Sequence, residues 1–114
     1  MTKTVLIVED NQPTASALAE LCEARFACCP KLAITIDEAQ RCLKGPVALA
    51  LLDVKIAGDW IFPFAARLTQ CQIPFVFISA VDPIGMPRAF ATTTFLQKPV
   101  QPADLVSVVG RYLN

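Results

Sequence analysis

The 114-residue chain contains no histidine. It cannot carry a phosphohistidine of its own or use an imidazole as a general base, so any base must be a carboxylate or a lysine. Neither sign of charge is in excess: ten Lys plus Arg balance ten Asp plus Glu. No overall basic field therefore exists to hold nucleic acid or an anionic membrane, and neither is expected as a partner. No apolar run approaches the roughly 18 residues that suggest a membrane span. The opening MTKTVLIVEDNQ has one cation and a short apolar run closed by two acids, which is unlike a secretion signal, and the expected location is cytoplasmic. Five cysteines (Cys22, Cys28, Cys29, Cys42, Cys71) are odd in number and form no CxxC pair. A disulfide framework or a zinc site is not expected, and the thiols are read as reduced and mostly buried. Linkers, repeats and low-complexity tracts are also missing, and residues 1–114 read as one domain without an output domain.

What the chain does have is apolar side chains, 54% of residues against 18% charged, which excludes intrinsic disorder. Short apolar runs bounded by turn residues alternate with longer segments whose apolar positions recur every three or four residues, the signature of βα units. Val5–Val8 reads as a strand buried on both faces, and Asn11 and Pro13 open a helix to about Ala27. Lys31–Ile34 predicts a second strand. Thr35-Ile36-Asp37-Glu38 has the form of a capping box, starting a helix that ends near Lys44-Gly45. Val47–Leu52 is an uninterrupted apolar strand ending on Asp53. A loop over 55–59 leads to a helix over Trp60–Gln70, with Pro63 tolerated in its first turn and Trp60 read as packing at the helix start. Pro74–Ser79 predicts a fourth strand and Thr94–Gln97 a fifth. Between them, Pro83, Gly85 and Pro87 predict an irregular stretch with at most one short helix near Pro87–Ala91. Pro102 opens a last amphipathic helix with Leu105, Val106, Val108, Val109 and Leu113 on its apolar stripe.

Five buried strands interleaved with helices imply a parallel sheet covered on both faces, because right-handed crossovers are the near-universal connection. In such sheets ligands bind beyond the carboxyl ends of the strands. Glu9 and Asp10 end the first strand, Asp53 the third, Ser79 the fourth and Lys98 the fifth. Three crowded carboxylates repel one another unless a cation shares the site. A hard divalent ion such as magnesium, which takes one or two carboxylates, waters and a phosphate oxygen, suits Glu9, Asp10 and Asp53 better than a soft metal. Asp53, on the central strand, is the natural nucleophile for an aspartyl phosphate. The Lys98 ammonium and the Ser79 hydroxyl would offset charge on the phosphoryl oxygens.

Taken together, Val5-Leu6-Ile7-Val8-Glu9-Asp10-Asn11, Ala50-Leu51-Leu52-Asp53, Phe75-Val76-Phe77-Ile78-Ser79-Ala80 and Phe95-Leu96-Gln97-Lys98-Pro99 resemble, in order and spacing, the receiver domain of two-component response regulators. The resemblance spans nearly the whole chain. It implies an α/β, flavodoxin-like three-layer sandwich with a five-stranded parallel sheet of order 2-1-3-4-5, the fourth helix being short or irregular. It implies that Asp53 is the phosphoacceptor, charged from the phosphohistidine of a histidine kinase or histidine phosphotransfer protein. It further implies that Glu9, Asp10, Asp53 and the Lys55 backbone carbonyl hold Mg2+, and that Ser79 and Lys98 bind the phosphoryl group. Ser79 and Phe95 would form the switch, and the Lys98–Pro99 bond would be cis. The output would be a changed surface for an unknown downstream protein, in a bacterial signalling pathway, from a monomer or weak dimer. No separate substrate would be turned over, only the chain's own phosphoryl group gained and lost.

Two stretches depart from the family pattern. After the acceptor the run is Val54-Lys55-Ile56-Ala57-Gly58-Asp59-Trp60, which puts a lysine beside the expected phosphoryl position. The segment between Ser79 and Lys98 is Pro-rich and short. These departures support an alternative, a receiver-like interaction module indifferent to phosphorylation. A haloacid-dehalogenase-type phosphatase would need a second Asp where Lys55 stands. A flavodoxin-like electron carrier would need a phosphate-cradling first loop, where Glu9 and Asp10 would repel the ligand. Cys28-Cys29 has no neighbouring cation cluster to make a reactive thiolate.

Overall fold

A computed structural model describes residues 2–114. Strands β1 (Lys3–Val8), β2 (Cys28–Ala33), β3 (Leu49–Leu52), β4 (Phe75–Ser79) and β5 (Phe95–Gln97) form one parallel sheet. Their order is β2-β1-β3-β4-β5. This is the flavodoxin-like arrangement, with helices α1 (Gln12–Arg25) and α4 (Pro102–Leu113) on one face and α2 (Ile36–Cys42) and α3 (Phe62–Gln70) on the other.

The strands divide their side chains between the layers by simple alternation. Val5, Ile7, Leu49, Leu51, Val76 and Ile78 face the α1 and α4 side, meeting Leu18, Cys22, Leu105 and Val109. Leu6, Val8, Ala50, Leu52 and Phe77 face the other side, against Ala39, Phe64, Ala65 and Leu68. Both sets are buried, which is why the strands read as continuous apolar runs rather than alternating ones. Side chains of this size, fully buried, each contribute about 1.5–3 kcal/mol before the entropy of ordering is counted.

Local chemistry fixes the helix starts. The Asn11 side chain accepts from Thr14 N at 3.0 Å and Pro13 sits in the first turn of α1. Thr35 Oγ1 accepts from Glu38 N at 3.1 Å, while Glu38 Oε2 reaches back to Ile34 N at 3.0 Å, one residue beyond the usual reciprocal partner.

Several expectations are corrected. Strand β2 begins at Cys28, three residues early, because this edge strand pairs with β1 from Lys3 onward. Its outer side is exposed, so no apolar run marks it. Residues 55–60 are not a loop but a hairpin: Lys55 pairs with Trp60 and Ile56 with Asp59. Ala57 and Gly58 at its tip have φ of 50° and 86°, the pattern of a two-residue hairpin turn whose twist suits the strands. The hairpin takes Trp60 out of α3, which starts at Phe62, and leaves the indole half exposed rather than packed at a helix start. Only Cys22 of the five cysteines is buried, with Cys29 and Cys71 exposed, although all are free. Burial pushes the Cys22 thiol up to about 11 and the Cys28 thiol upward as well, so neither is a reactive thiolate.

Between β4 and β5 there is no α-helix, only two single turns of 3-10 helix, Pro83–Gly85 and Arg88–Phe90. One side chain anchors this segment. Phe90 is nearly buried among Phe62, Phe75 and Phe77, with ring centroids 5.5 to 6.0 Å away. Among the described residues no helix is long and apolar enough to cross a membrane.

Candidate functional site

The carboxyl ends of β1, β3 and β5 bring Glu9, Asp10, Asp53 and Lys98 together. Glu9 and Asp10 follow β1, Asp53 follows β3, and β1 pairs with β3 through Val8 and Leu52. Asp53 N donates to Val8 O at 3.0 Å, so the pairing carries on to Asp53 itself. Lys98 follows β5, and its backbone N donates to Ser79 O at 2.9 Å, tying it to the end of β4. The Lys98–Pro99 peptide bond is cis.

The Lys98 ammonium bridges two carboxylates, donating to Glu9 Oε2 at 2.7 Å and to Asp53 Oδ2 at 3.0 Å. Three further oxygens accept from backbone N–H groups. Glu9 Oε1 accepts from Asn11 N at 3.1 Å, Asp53 Oδ1 from Val54 N at 2.7 Å, and Asp10 Oδ2 from Ala57 N at 2.9 Å. Each carboxylate is thus held by backbone or by the ammonium before any ligand arrives.

Electrostatics follow from this packing. Burial pushes the Glu9 carboxyl above its ordinary range, the Lys98 and Asn11 hydrogen bonds pull it back, and the neighbouring Asp53 adds to the rise. Burial works to lower the Lys98 pKa, but its bonds to Glu9 and Asp53 outweigh that and the net shift is upward. The ammonium is therefore held charged. Three carboxylates against one ammonium leave the cluster about two charges short of neutrality.

Oxygens of Glu9, Asp10 and Asp53 lie within 4.8 Å of one another. Hard oxygen donors in this number, on a negative cluster with one exposed member, fit a small divalent cation that keeps several waters. The antiparallel ladder of the hairpin also bears on Lys55. Ile61 N donates to Val54 O at 2.9 Å, so by the alternation of such ladders Lys55 and Trp60 form the pair without mutual hydrogen bonds, which leaves the Lys55 carbonyl outside the ladder.

Two sequence candidates sit less directly on the cluster. Ser79 is buried at the end of β4, and its hydroxyl accepts from Val81 N at 3.2 Å rather than touching Lys98 or Asp53. Phe95 is half-buried on β5, opposite Phe77, with centroids 6.4 Å apart. The sequence reading missed the Ala57 N–H that clamps the hairpin to Asp10. Its only signal was Ala57-Gly58 between Ile56 and Asp59, a weaker hairpin mark than Asn-Gly. It also missed the Lys55 ammonium over the Trp60 ring, 5.0 Å from its centroid.

No protein-family model and no curated protein matches this sequence. Solved structures do. The receiver domain from Methylobacillus flagellatus, described as CheY-like, superposes with a TM-score of 0.84 at 18% identity, over 98% of this chain and 99% of that one. A response regulator receiver protein from Burkholderia phymatum gives 0.83 at 21% identity, covering 98% and 95%. A receiver domain protein from Methanospirillum hungatei, also described as CheY-like, gives 0.81 at 18%, covering 99% and 94%. At these identities the likeness is one of fold. The chain has the fold of response regulator receiver domains along nearly its whole length.

Proposed function

We propose that this protein is a phosphoacceptor switch of two-component signalling, in which Asp53 takes a phosphoryl group and the change alters a surface read by another protein. The observation that carries this reading is the Lys98 ammonium bonded to both Glu9 and Asp53 where β1, β3 and β5 end together. A merely structural ion pair needs one acid. Here one cation serves two acids beside a third, on a site open to an incoming anion.

In the proposed step a carboxylate oxygen of Asp53 attacks the phosphorus of a phosphohistidine on a histidine kinase or phosphotransfer protein. The new O–P bond forms as the P–N bond breaks, and the imidazole nitrogen leaves with the electron pair and takes a proton. Glu9, Asp10, Asp53 and the Lys55 carbonyl would hold magnesium, whose charge, when bound, offsets that of the phosphoryl oxygens. Lys98 holds Asp53 in place and is within reach of an added phosphoryl oxygen. Ser79 exchanges its bond to Val81 N for one to that group, and the Phe95 ring then follows the vacated space inward. The change is a shift between two populated conformations. The protein turns over no separate substrate, and loss of its own phosphoryl group to water resets it.

A second reading, a module that binds its partner regardless of phosphorylation, draws on the hairpin at 55–60 and the missing helix between β4 and β5. One experiment separates the two: intact mass after incubation with a small phosphodonor, with and without magnesium, for wild type and Asp53→Ala. The switch requires a magnesium-dependent gain of one phosphoryl group that Asp53→Ala lacks. A folded wild type that binds magnesium and gains no mass leaves the constitutive module.

A further inference from the structure

The three acids of the cluster are not held alike. Glu9 and Asp53 have both carboxylate oxygens bonded, one to a backbone N–H and the other to Lys98. Asp10 has one bond, Oδ2 accepting from Ala57 N at 2.9 Å, and among the described residues nothing donates to its Oδ1. It is also the exposed member of the three, so without that bond its carboxylate would be free to turn in solvent. The donor is the tip of the hairpin at 55–60. Ile56, fully buried, anchors the hairpin in the core, and the positive φ of Ala57 (50°) and Gly58 (86°) makes the turn that carries this N–H to Asp10.

We propose that the Ala57 N–H is a positioning group for a divalent cation: it fixes Asp10 through Oδ2 and leaves Oδ1 for the metal. This rests on the reading of Glu9, Asp10 and Asp53 as the magnesium site. A ligand side chain that has to be ordered on binding weakens affinity by the entropy it loses. Glu9 and Asp53 are already ordered by two bonds each, so Asp10 is the acid whose order depends on a single contact. While the hairpin tip is closed, a cation entering the cluster orders nothing further there. The coupling is reciprocal: magnesium holds the tip closed by the same factor by which the closed tip favours magnesium. A turn with no acid of its own in contact with the cluster thus sets how tightly the cation is held.

The test uses the full chain and magnesium alone, with the dissociation constant taken from titration calorimetry and Ala57 N–H exchange from NMR. Gly58→Val opens the tip, because a side chain there meets no neighbour within 4 Å but valine rarely adopts a φ of 86°. Magnesium binding should weaken about three- to tenfold, the range for ordering one side chain, and Ala57 exchange should quicken. Ala57→Asn makes the turn Asn-Gly, which favours this conformation, and should bind at least as tightly as wild type. In wild type, saturating magnesium should slow Ala57 exchange by a factor of the same order. Magnesium that leaves wild-type Ala57 exchange unchanged, or an affinity in Gly58→Val equal to that of wild type, overturns the proposal and leaves the three acids as the metal site. A wild type that binds no magnesium overturns that site and this inference with it.

Discussion

Replacing Lys98 by Met removes the ammonium and keeps most of the apolar stem. Glu9, only 2% exposed, then has no cation against it, and Asp53 lies beside it. Removing one partner of a buried ion pair costs about 3–5 kcal/mol, and the opening of this cluster to solvent at its rim brings the expected loss to ~2–3 kcal/mol near neutral pH. Glu9 has a way to limit that loss by taking a proton. Its folded pKa is already raised from the ordinary 4.5 by burial, and without Lys98 pulling against the rise it goes higher.

The sign of the pH dependence follows. A group whose folded pKa lies above its unfolded one contributes stability that is complete below the unfolded value and lost as pH rises through the folded value. For Glu9 that window opens near 4.5 and extends further upward in the variant than in wild type, each extra unit being worth about 1.4 kcal/mol. Lys98 itself, raised above 10.5, loses its contribution only in alkali and is silent between pH 5 and 7.5. Urea unfolding at pH 7.5 and pH 5 should therefore show Lys98→Met destabilised by ~2–3 kcal/mol at the higher pH and by at least ~1 kcal/mol less at the lower. Adding Glu9→Gln should recover most of the loss at pH 7.5. A deficit identical at both pH values, or undiminished by Glu9→Gln, would mean that Lys98 stabilises through its stem and not through charge.

Magnesium should raise the melting temperature of wild type, by the equivalent of about 2.7 kcal/mol at a hundred times its dissociation constant, and chelation should reverse it. The gain should be larger in Lys98→Met, whose acids lack their cation, and no shift in either protein would remove the divalent ion from the proposed site. Phe90→Ala should cost ~3 kcal/mol by emptying the space between Phe62, Phe75 and Phe77, roughly 10–15 °C in a calorimetric melt of a chain this size. Ile84→Ala, at a side chain 91% exposed on the neighbouring turn, should change stability by less than about 0.5 kcal/mol, and equal losses for the two would show that the segment is not anchored at Phe90.

The central strands were legible because both faces of β1, β3 and β4 are covered, so burial writes itself as an unbroken apolar run. Helix starts were legible where a side chain makes the cap, as at Asn11 and Thr35. The edge strand was half hidden, since Cys28–Pro30 pair by backbone alone and their side chains carry no periodic signal. The convergence of Glu9, Asp10, Asp53 and Lys98 could be argued from strand ends, but the sharing of one ammonium by Glu9 and Asp53 could not. That depends on burial, which makes Glu9 the acid most in need of a cation. The hairpin escaped because its clamp joins Ala57 to Asp10, 47 residues away, and no local propensity encodes such a contact.

The two stretches that depart most from the receiver pattern are linked through one aromatic side chain, Phe62. The hairpin turns Trp60 outward and starts α3 at Phe62, whose ring stacks with both Trp60 and Phe90, with centroids 6.0 and 5.7 Å away. Phe90 in turn is the one buried side chain of the two 3-10 turns that stand where a helix would otherwise cover β4 and β5. A shortened segment leaves the edge of Phe75 and Phe77 in need of a lid, and Phe90 provides it only because Phe62 is there to pack against. The aromatic array thus joins the loop beside Asp53 to the segment that follows Ser79 through ring contacts alone. Trp60, which carries the Lys55 contact, and Phe90, which anchors the 3-10 turns, therefore both pack on Phe62, at the start of the helix that follows the hairpin.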